Sequence, residues 1–433
     1  MKHTVRKTFT ALVTILLVLL TLCSCGKRSY LASAEFDTDE YLADFDADNR
    51  YFSHDIQLMF AERGNYIYSA FMNQNFRYFD LNTGEYEILC AKPDCTHTDK
   101  KCDAFNEGSR RILSFYDGRI WWVGTEPRVP RKPAVFRLFS DSLTCGERKA
   151  VLTIPTELVT DYQPAICAVH RGYLYIAGCQ PRTVDAKYGT AVNLTAMPID
   201  GSTEAFEIFN KFYDGITKRF VRYIANYVYI AAGGQDWIEV YRFDSKTRKL
   251  ETLYTGNETG VNFANFWVTQ NREMFYSGTA KKTGYVFAIE DGSVRKTVEV
   301  TSNESRVITD VNLGENTAVV LFREDDAKYK FVVTDLQGNE RCTTEILLSE
   351  CLPGAAATGE GKTAVYSLSV FSCDTENVNL FCLCNQNSIG EDLRPRSDKY
   401  NYIIRCADGG RGDRIIVAEK NEDKIYDISE EEE

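Results

Sequence analysis

The sequence predicts an all-β fold, a β-propeller of four-stranded antiparallel blades, with seven blades counted and six or eight as the neighbouring alternatives. Three observations lead there. A hairpin of two β-favouring runs recurs along the chain at spacings of roughly 45 to 60 residues. A third run ending in an Asp- or Gly-bearing turn follows each hairpin. No long amphipathic helix is written after residue 24, and no linkers separate the units as a row of sandwiches would need.

Residues 219–254 show the unit most completely. Arg219–Ile224 and Tyr227–Ala232 flank Ala225-Asn226, Ile238–Phe243 follows a loop at Gly233–Asp236, and Lys249–Tyr254 follows Asp244–Arg248. These runs are rich in Tyr, Val, Ile and Phe, residues that fit a pleated, half-buried surface. The same hairpin is expected at Ile56–Ala61 with Tyr66–Phe71, Arg111–Tyr116 with Arg119–Gly124, and Ala165–His170 with Tyr173–Gly178. It recurs at Phe266–Gln270 with Glu273–Gly278 and at Ile308–Leu313 with Thr317–Phe322; Ala355–Phe371 is the faintest copy. Third strands end at Asp80, Asp141, Asp200, Asp244, Asp291, Asp335 and Asp408. The last unit has further candidate strands at Val378–Cys384, Tyr400–Cys406 and Asp413–Glu419. Closure is expected to pair strands from both chain ends.

The flanks divide differently. Residues 1–24 read as a signal peptide: Lys2, Arg6 and Lys7 precede an apolar run from Phe9 to Leu22, too short for a membrane span of about 20 residues. Leu22-Cys23-Ser24-Cys25 then matches the bacterial lipobox, which makes Cys25 the expected lipidation site and the bilayer a partner. Residues 25–50 carry seven acids, Glu35, Asp37, Asp39, Glu40, Asp44, Asp46 and Asp48, and are expected to be an acidic, partly disordered tether. The propeller is then assigned to 51–418 and an acidic tail to 419–433.

Composition sets limits on function. A hydrophobic share of 44% supplies a sizeable core. The formal charge of −12 becomes −15 once Lys2, Arg6 and Lys7 are removed, which disfavours nucleic acid as a partner. The chain has no Gly-x-Ser-x-Gly elbow, no His-Glu-x-x-His and no Walker loop. Only His54, His97 and His170 lie beyond the signal.

The sharpest local feature is Cys90-Ala-Lys-Pro-Asp-Cys95-Thr-His97-Thr-Asp-Lys-Lys-Cys102. Three thiols and an imidazole suit a closed, tetrahedral, structural Zn²⁺ site. Disulfide chemistry competes, because 12 of the 14 cysteines remain once Cys23 and Cys25 are set aside. A bridge inside the loop leaves one thiol to pair with Cys145, Cys167 or Cys179; reduced thiols throughout are the third reading. The propeller topology is expected to put this loop on one face with Thr125–Pro133 and Cys179–Asn193. In the former, Arg128, Arg131 and Lys132 form a basic patch on an acidic protein, a candidate partner-binding loop whose simpler reading is a solvated, Pro-stiffened one. The many Tyr and Phe are read as core packing.

The lipobox, the Lys-Pro-Asp-Cys-Thr-His core of the loop and strands such as Tyr66-Ile67-Tyr68 resemble a group of propeller lipoproteins of Gram-positive gut bacteria, similar to TolB-like, six-bladed families. The resemblance spans most of residues 51–418. It implies an extracytoplasmic propeller, six blades rather than seven, and no particular activity. Two functions are therefore expected: a membrane-anchored binding module for a protein, peptide or glycan, or a carbohydrate-active hydrolase or lyase with carboxylates at the propeller mouth.

Overall fold

The computed structural model describes residues 36–51, 60–69, 75–97, 102–104, 114–125, 135–160, 166–184, 187–256, 260–302, 306–348, 352, 363–389, 395–412 and 414–421. They form seven four-stranded antiparallel sheets arranged as the blades of a propeller, each built from consecutive strands. The first is β1 Phe60–Arg63, β2 Tyr66–Ser69, β3 Arg77–Asp80 and β4 Tyr86–Ile88. The second is β5 Ser114–Tyr116, β6 Arg119–Thr125, β7 Phe136–Ser142 and β8 Lys149–Ile154, followed by a short helix, α1, at Thr156–Thr160. Blade 3 holds β9 Ile166–His170, β10 Tyr173–Val184, β11 Lys187–Pro198 and β12 Phe206–Asp214. Blade 4 is β13 Lys218–Ile224, β14 Tyr227–Gly233, β15 Ile238–Asp244 and β16 Lys249–Gly256. Blade 5 comprises β17 Asn262–Val268, β18 Met274–Ala280, β19 Thr283–Glu290 and β20 Ser293–Thr301. In blade 6, β21 Val307–Gly314, β22 Thr317–Arg323, β23 Lys328–Thr334 and β24 Glu340–Leu347 succeed one another. Blade 7 is β25 Thr363–Cys373, β26 Val378–Ile389, β27 Pro395–Cys406 and β28 Arg414–Asn421.

Seven blades stand, and the six implied by the resemblance do not. The faint hairpin expected over Ala355–Phe371 is corrected: Thr363–Cys373 is one strand paired to β26, and 353–362 lie outside the described residues.

 Closure also differs from expectation. Among the described residues no strand is exchanged between the chain ends; blade 7 meets blade 1 through side chains, with Phe371 and Ile403 packed among Ile67, Tyr68, Phe76 and Phe79, and Arg405 paired to Glu62. Each blade can satisfy its own ladder without a donated strand, so burial of apolar area between neighbouring sheets holds the ring.

Within a blade the strands alternate in direction, so the first–second and third–fourth turns lie on one face and the remaining connections on the other. Asp117-Gly118, Arg171-Gly172 and Asp291-Gly292 turn with both residues at positive φ, matching the twist of the flanking strands. Ala225 also takes positive φ (53°) without being glycine. Its N–H donates to Asp46 Oδ2 at 3.3 Å and its carbonyl lies 2.8 Å from His170 Nε2, so contacts from two other segments hold this turn.

Those contacts introduce the largest departure from the sequence reading. Residues 36–51 are not a loose tether; they lie as a strap across the face formed by the first–second turns. Phe36, Asp46, Ala47 and Asn49 are buried. The segment touches turns of blades 1 (Arg63), 2 (Asp117), 3 (Arg171), 4 (Asn226), 5 (Arg272) and 7 (Asp374). An acidic run reads as solvated in a sequence; here the turns supply the buried Arg171, the half-exposed Arg63 and Arg272 and backbone donors, which its carboxylates and carbonyls satisfy. The folded unit therefore includes Phe36 and is not confined to residues after Tyr51.

Candidate metal centre

The chain leaves β4 at Ile88 and does not enter blade 2 directly. Leu89 N donates to Phe76 O and Phe76 N donates to Ala104 O, both at 2.9 Å, so the two ends of the Cys/His loop are clipped to one residue at the start of β3. Inside the loop Cys95 N donates to Lys92 O at 3.3 Å, a turn in which Pro93 sits where its fixed φ is favoured. His97 takes positive φ (58°), and its carbonyl accepts from Asn75 Nδ2 at 2.9 Å. Lys92 and Asp103 pair across the loop at 2.6 Å, an exposed contact of small energetic weight.

These constraints bring Cys90, Cys95, His97 and Cys102 together. One ligand atom from each, all four, lie within 4.8 Å of one another, and His97 Nδ1 is 3.3 Å from Cys102 Sγ. Zinc–sulfur bonds of about 2.3 Å and zinc–nitrogen bonds of about 2.0 Å in a tetrahedron give ligand–ligand edges of roughly 3.6–3.8 Å. The donor set and its spread fit that group. A disulfide would use two of the sulfurs and leave the third beside the imidazole; in the structure all three are thiols. Burial, against a lowering backbone hydrogen bond at Ala104 and helped by the neighbouring Cys95 and Cys90 thiols, raises the Cys102 thiol to about 11. Burial also acts to raise Cys90, but backbone hydrogen bonds at Lys92 and Asp103 and the adjacent thiols leave it below the usual thiol range. Three thiolates this close repel one another, and a divalent cation removes that repulsion. With four protein ligands no coordination position is left for a substrate, so a bound ion would be structural.

The centre belongs to the seam of blades 1 and 2. Cys102 and Ala104 are buried in one apolar cluster with Phe76, Ile120, Trp122 and Cys145. Cys145 is therefore the nearest of the three extra partners considered for a disulfide. Cys167 lies in the cluster shared by blades 2 and 3 and Cys179 in that of blades 3 and 4. Cys179–Asn193 is not a loop: β10 and β11 pair through it as one long hairpin. Cys25, Arg128, Arg131 and Lys132 lie outside the described residues.

Sequence reasoning missed a second feature, a cavity of about 300 Å³ between the strap and blades 4–7. Asp48 and Arg50 of the strap line it, with Trp267, Glu315, Asp374 and Glu376. Arg50 Nη1 lies 3.2 Å from Asp374 Oδ2. Glu315 accepts from Gln270 N at 3.1 Å and from Trp267 Nε1 at 3.4 Å, yet burial holds its carboxyl above the usual range. No spacing in the sequence announces this group, because the strap and four blades each contribute separately.

No protein-family model matches the chain, and no curated protein matches it. Among solved structures it is similar to an oligogalacturonate lyase in complex with manganese, at 13% identity and a TM-score of 0.41, over 77% of this chain and 84% of that one. It is similar to Hsv2 of Kluyvelomyces marxianus, at 8% identity and a TM-score of 0.42, over 77% of this chain and 92% of that one. A prolyl endopeptidase matches at 11% identity and a TM-score of 0.42, over 82% of this chain but only 47% of its own length. At these identities and scores the likenesses transfer no activity to this chain.

Proposed function

We propose that the protein is a membrane-anchored extracytoplasmic binding propeller, lipidated at Cys25, that presents a protein, peptide or glycan partner with the face opposite the strap. The strap carries this reading. Ten residues separate Cys25 from Phe36, a span of at most roughly 40 Å. An anchor at Cys25 thus holds the strap face toward the bilayer and leaves the other face outward. Arg128, Arg131 and Lys132, which follow β6 in the sequence, are the residues we assign to that partner. The Cys/His group, saturated by its own ligands, acts here as a zinc staple and not as a reaction centre.

The orientation is tested with a bulky, membrane-impermeant amine reagent on intact cells. Lys218, at the outward end of β13, is expected to label as it does in detergent, whereas Lys246, on a strap-face turn, is expected to be protected until detergent is added. Equal labelling of the two on cells would refute the orientation, and acyl label retained by Cys25→Ala would refute the anchor. A second reading, a carbohydrate-active hydrolase or lyase, is favoured by the strap cavity, where Glu315 has the raised carboxyl that a general acid needs. Turnover of a polysaccharide that is abolished in Glu315→Gln would establish it.

A further inference from the structure

A second depression, about 370 Å³, opens on the outward face at the seam of blades 3 and 4. Tyr213, Asp214, Trp237, Glu239 and Thr255 line it. Trp237 stacks on Tyr213 with ring centroids 4.9 Å apart and planes at 22°, forming an aromatic wall. The loop that carries Trp237 is fixed from both sides. Gly234 N donates to Trp237 O at 3.1 Å, Asp236 N to Val261 O at 3.0 Å, and Phe263 N to Gly234 O at 3.0 Å. A side chain at position 234 would meet Trp237 Nε1 at 2.8 Å, so glycine lets the indole lie against the backbone.

Beside the wall stands a charge-compensated carboxylate. Glu239 Oε2 accepts from Tyr241 OH at 2.7 Å, Tyr213 OH at 2.8 Å and Lys211 Nζ at 2.7 Å, while Oε1 is 3.0 Å from Lys211 Nζ. Burial would raise this carboxyl, but the hydrogen bonds from Lys211, Tyr241 and Tyr213 overcome it and hold the group below the usual carboxylate range. The same rim displays Tyr188 and Ile216, 60% and 80% exposed, the two most exposed large apolar side chains among the described residues. Tyr188 O accepts from Gly215 N, which places both beside the end of β12.

We infer that this depression binds an uncharged saccharide, one pyranose ring against Trp237 with its hydroxyls directed to Glu239 and Asp214. The chemistry selects that class. Lys211 already neutralises Glu239, so that pair favours neither a cation nor an anion, and the carboxylate of Asp214 disfavours an anionic ligand. What remains is an aromatic face with fixed hydrogen-bonding groups at its edge, and a sugar ring offers apolar C–H faces with a polar rim. The inference rests on the binding reading and names a glycan as its ligand.

The test titrates the purified chain with maltotetraose, cellotetraose, mannotetraose and tetra-N-acetylchitotetraose, followed by tryptophan fluorescence and saturation-transfer NMR. Saturable binding of at least one is expected. Trp237→Ala should weaken it at least about tenfold and Glu239→Gln about threefold or more, with Trp237→Phe between wild type and Trp237→Ala. Circular dichroism and melting establish that each variant is folded, and Glu239→Gln serves should Trp237→Ala fail to fold. No saturable binding of any of the four, binding unchanged in Trp237→Ala and Glu239→Gln, or tighter binding of tetragalacturonate than of all four would each overturn the inference. Loss of partner capture on charge reversal at Arg128, Arg131 and Lys132 reads the broader binding proposal separately, through a different loop.

Discussion

His170 and Arg171 show how much one turn can organise. Arg171, 1% exposed, donates to both carboxylate oxygens of Asp46, to Thr38 O and Glu40 O of the strap, and to Asn226 Oδ1. His170 Nδ1 accepts from Ala47 N at 3.1 Å, so its proton sits on Nε2 and points at Ala225 O. Burial lowers the imidazole to about 4; Asp46 opposes that shift and Arg171 adds to it. A histidine whose pKa is depressed on folding contributes nothing adverse above its unfolded value near 6.5, and costs stability as pH falls from there to the folded value, where the unfolded chain binds the proton first. Wild type is therefore expected to lose about 3 kcal/mol relative to His170→Asn between pH 7 and pH 4 in urea unfolding. Parallel pH profiles for the two proteins would show that His170 is not the group responsible. Asp46 and Arg171 could not be paired from the sequence, since each sat in a stretch with an ordinary reading: an acidic run and a hairpin turn.

At the scale of elements, the Cys/His loop was legible as a ligand set and illegible as a seam. Residue types and spacing suffice to propose a tetrahedral ion; that Phe76 clips both ends, and that Cys102 is buried between blades, depends on contacts across the fold. Purified without chelator, the chain is expected to hold about one zinc, lost in His97→Ala and Cys95→Ser. Chelation should lower unfolding stability by about 4 kcal/mol, the effect of losing a ligand present at a thousand times its Kd. Zinc retained at one per chain in both variants would move the ion elsewhere. The β10–β11 hairpin makes a similar point. Gln180 to Thr190 looks like a loop because its apolar alternation is weak, but pairing along two neighbouring strands extends the ladder through it.

For the whole molecule, closure by side chains sets the pattern of local stability. Among the described residues the strands of blade 1 run for 4, 4, 4 and 3 residues, and none from the far end of the chain pairs with them. Among the described residues the paired strands are shortest there, so the ring should open at this blade first. Amides of β2 and β3 are expected to exchange at least about a hundredfold faster than those of β14, and faster still after chelation. Equal protection of blades 1 and 4 would mean that the strap, which spans both, and not the seam, limits opening.

The repeat, the turn residues and the chemistry of the Cys/His loop are local properties, written in neighbouring positions, and the sequence by itself determined them: an all-β propeller of seven units with a thiol–imidazole group between the first two. Strand alternation and turn preference act over two to five residues, so one chain displays them without its fold. The strap, the cavity beneath it, the manner of closure and the Trp237–Glu239 depression join residues tens to hundreds of positions apart, such as Arg50 with Asp374 or Lys211 with Glu239. Which buried charge meets which partner is decided only when the blades close on one another, because desolvation penalises every polar group until its complement arrives.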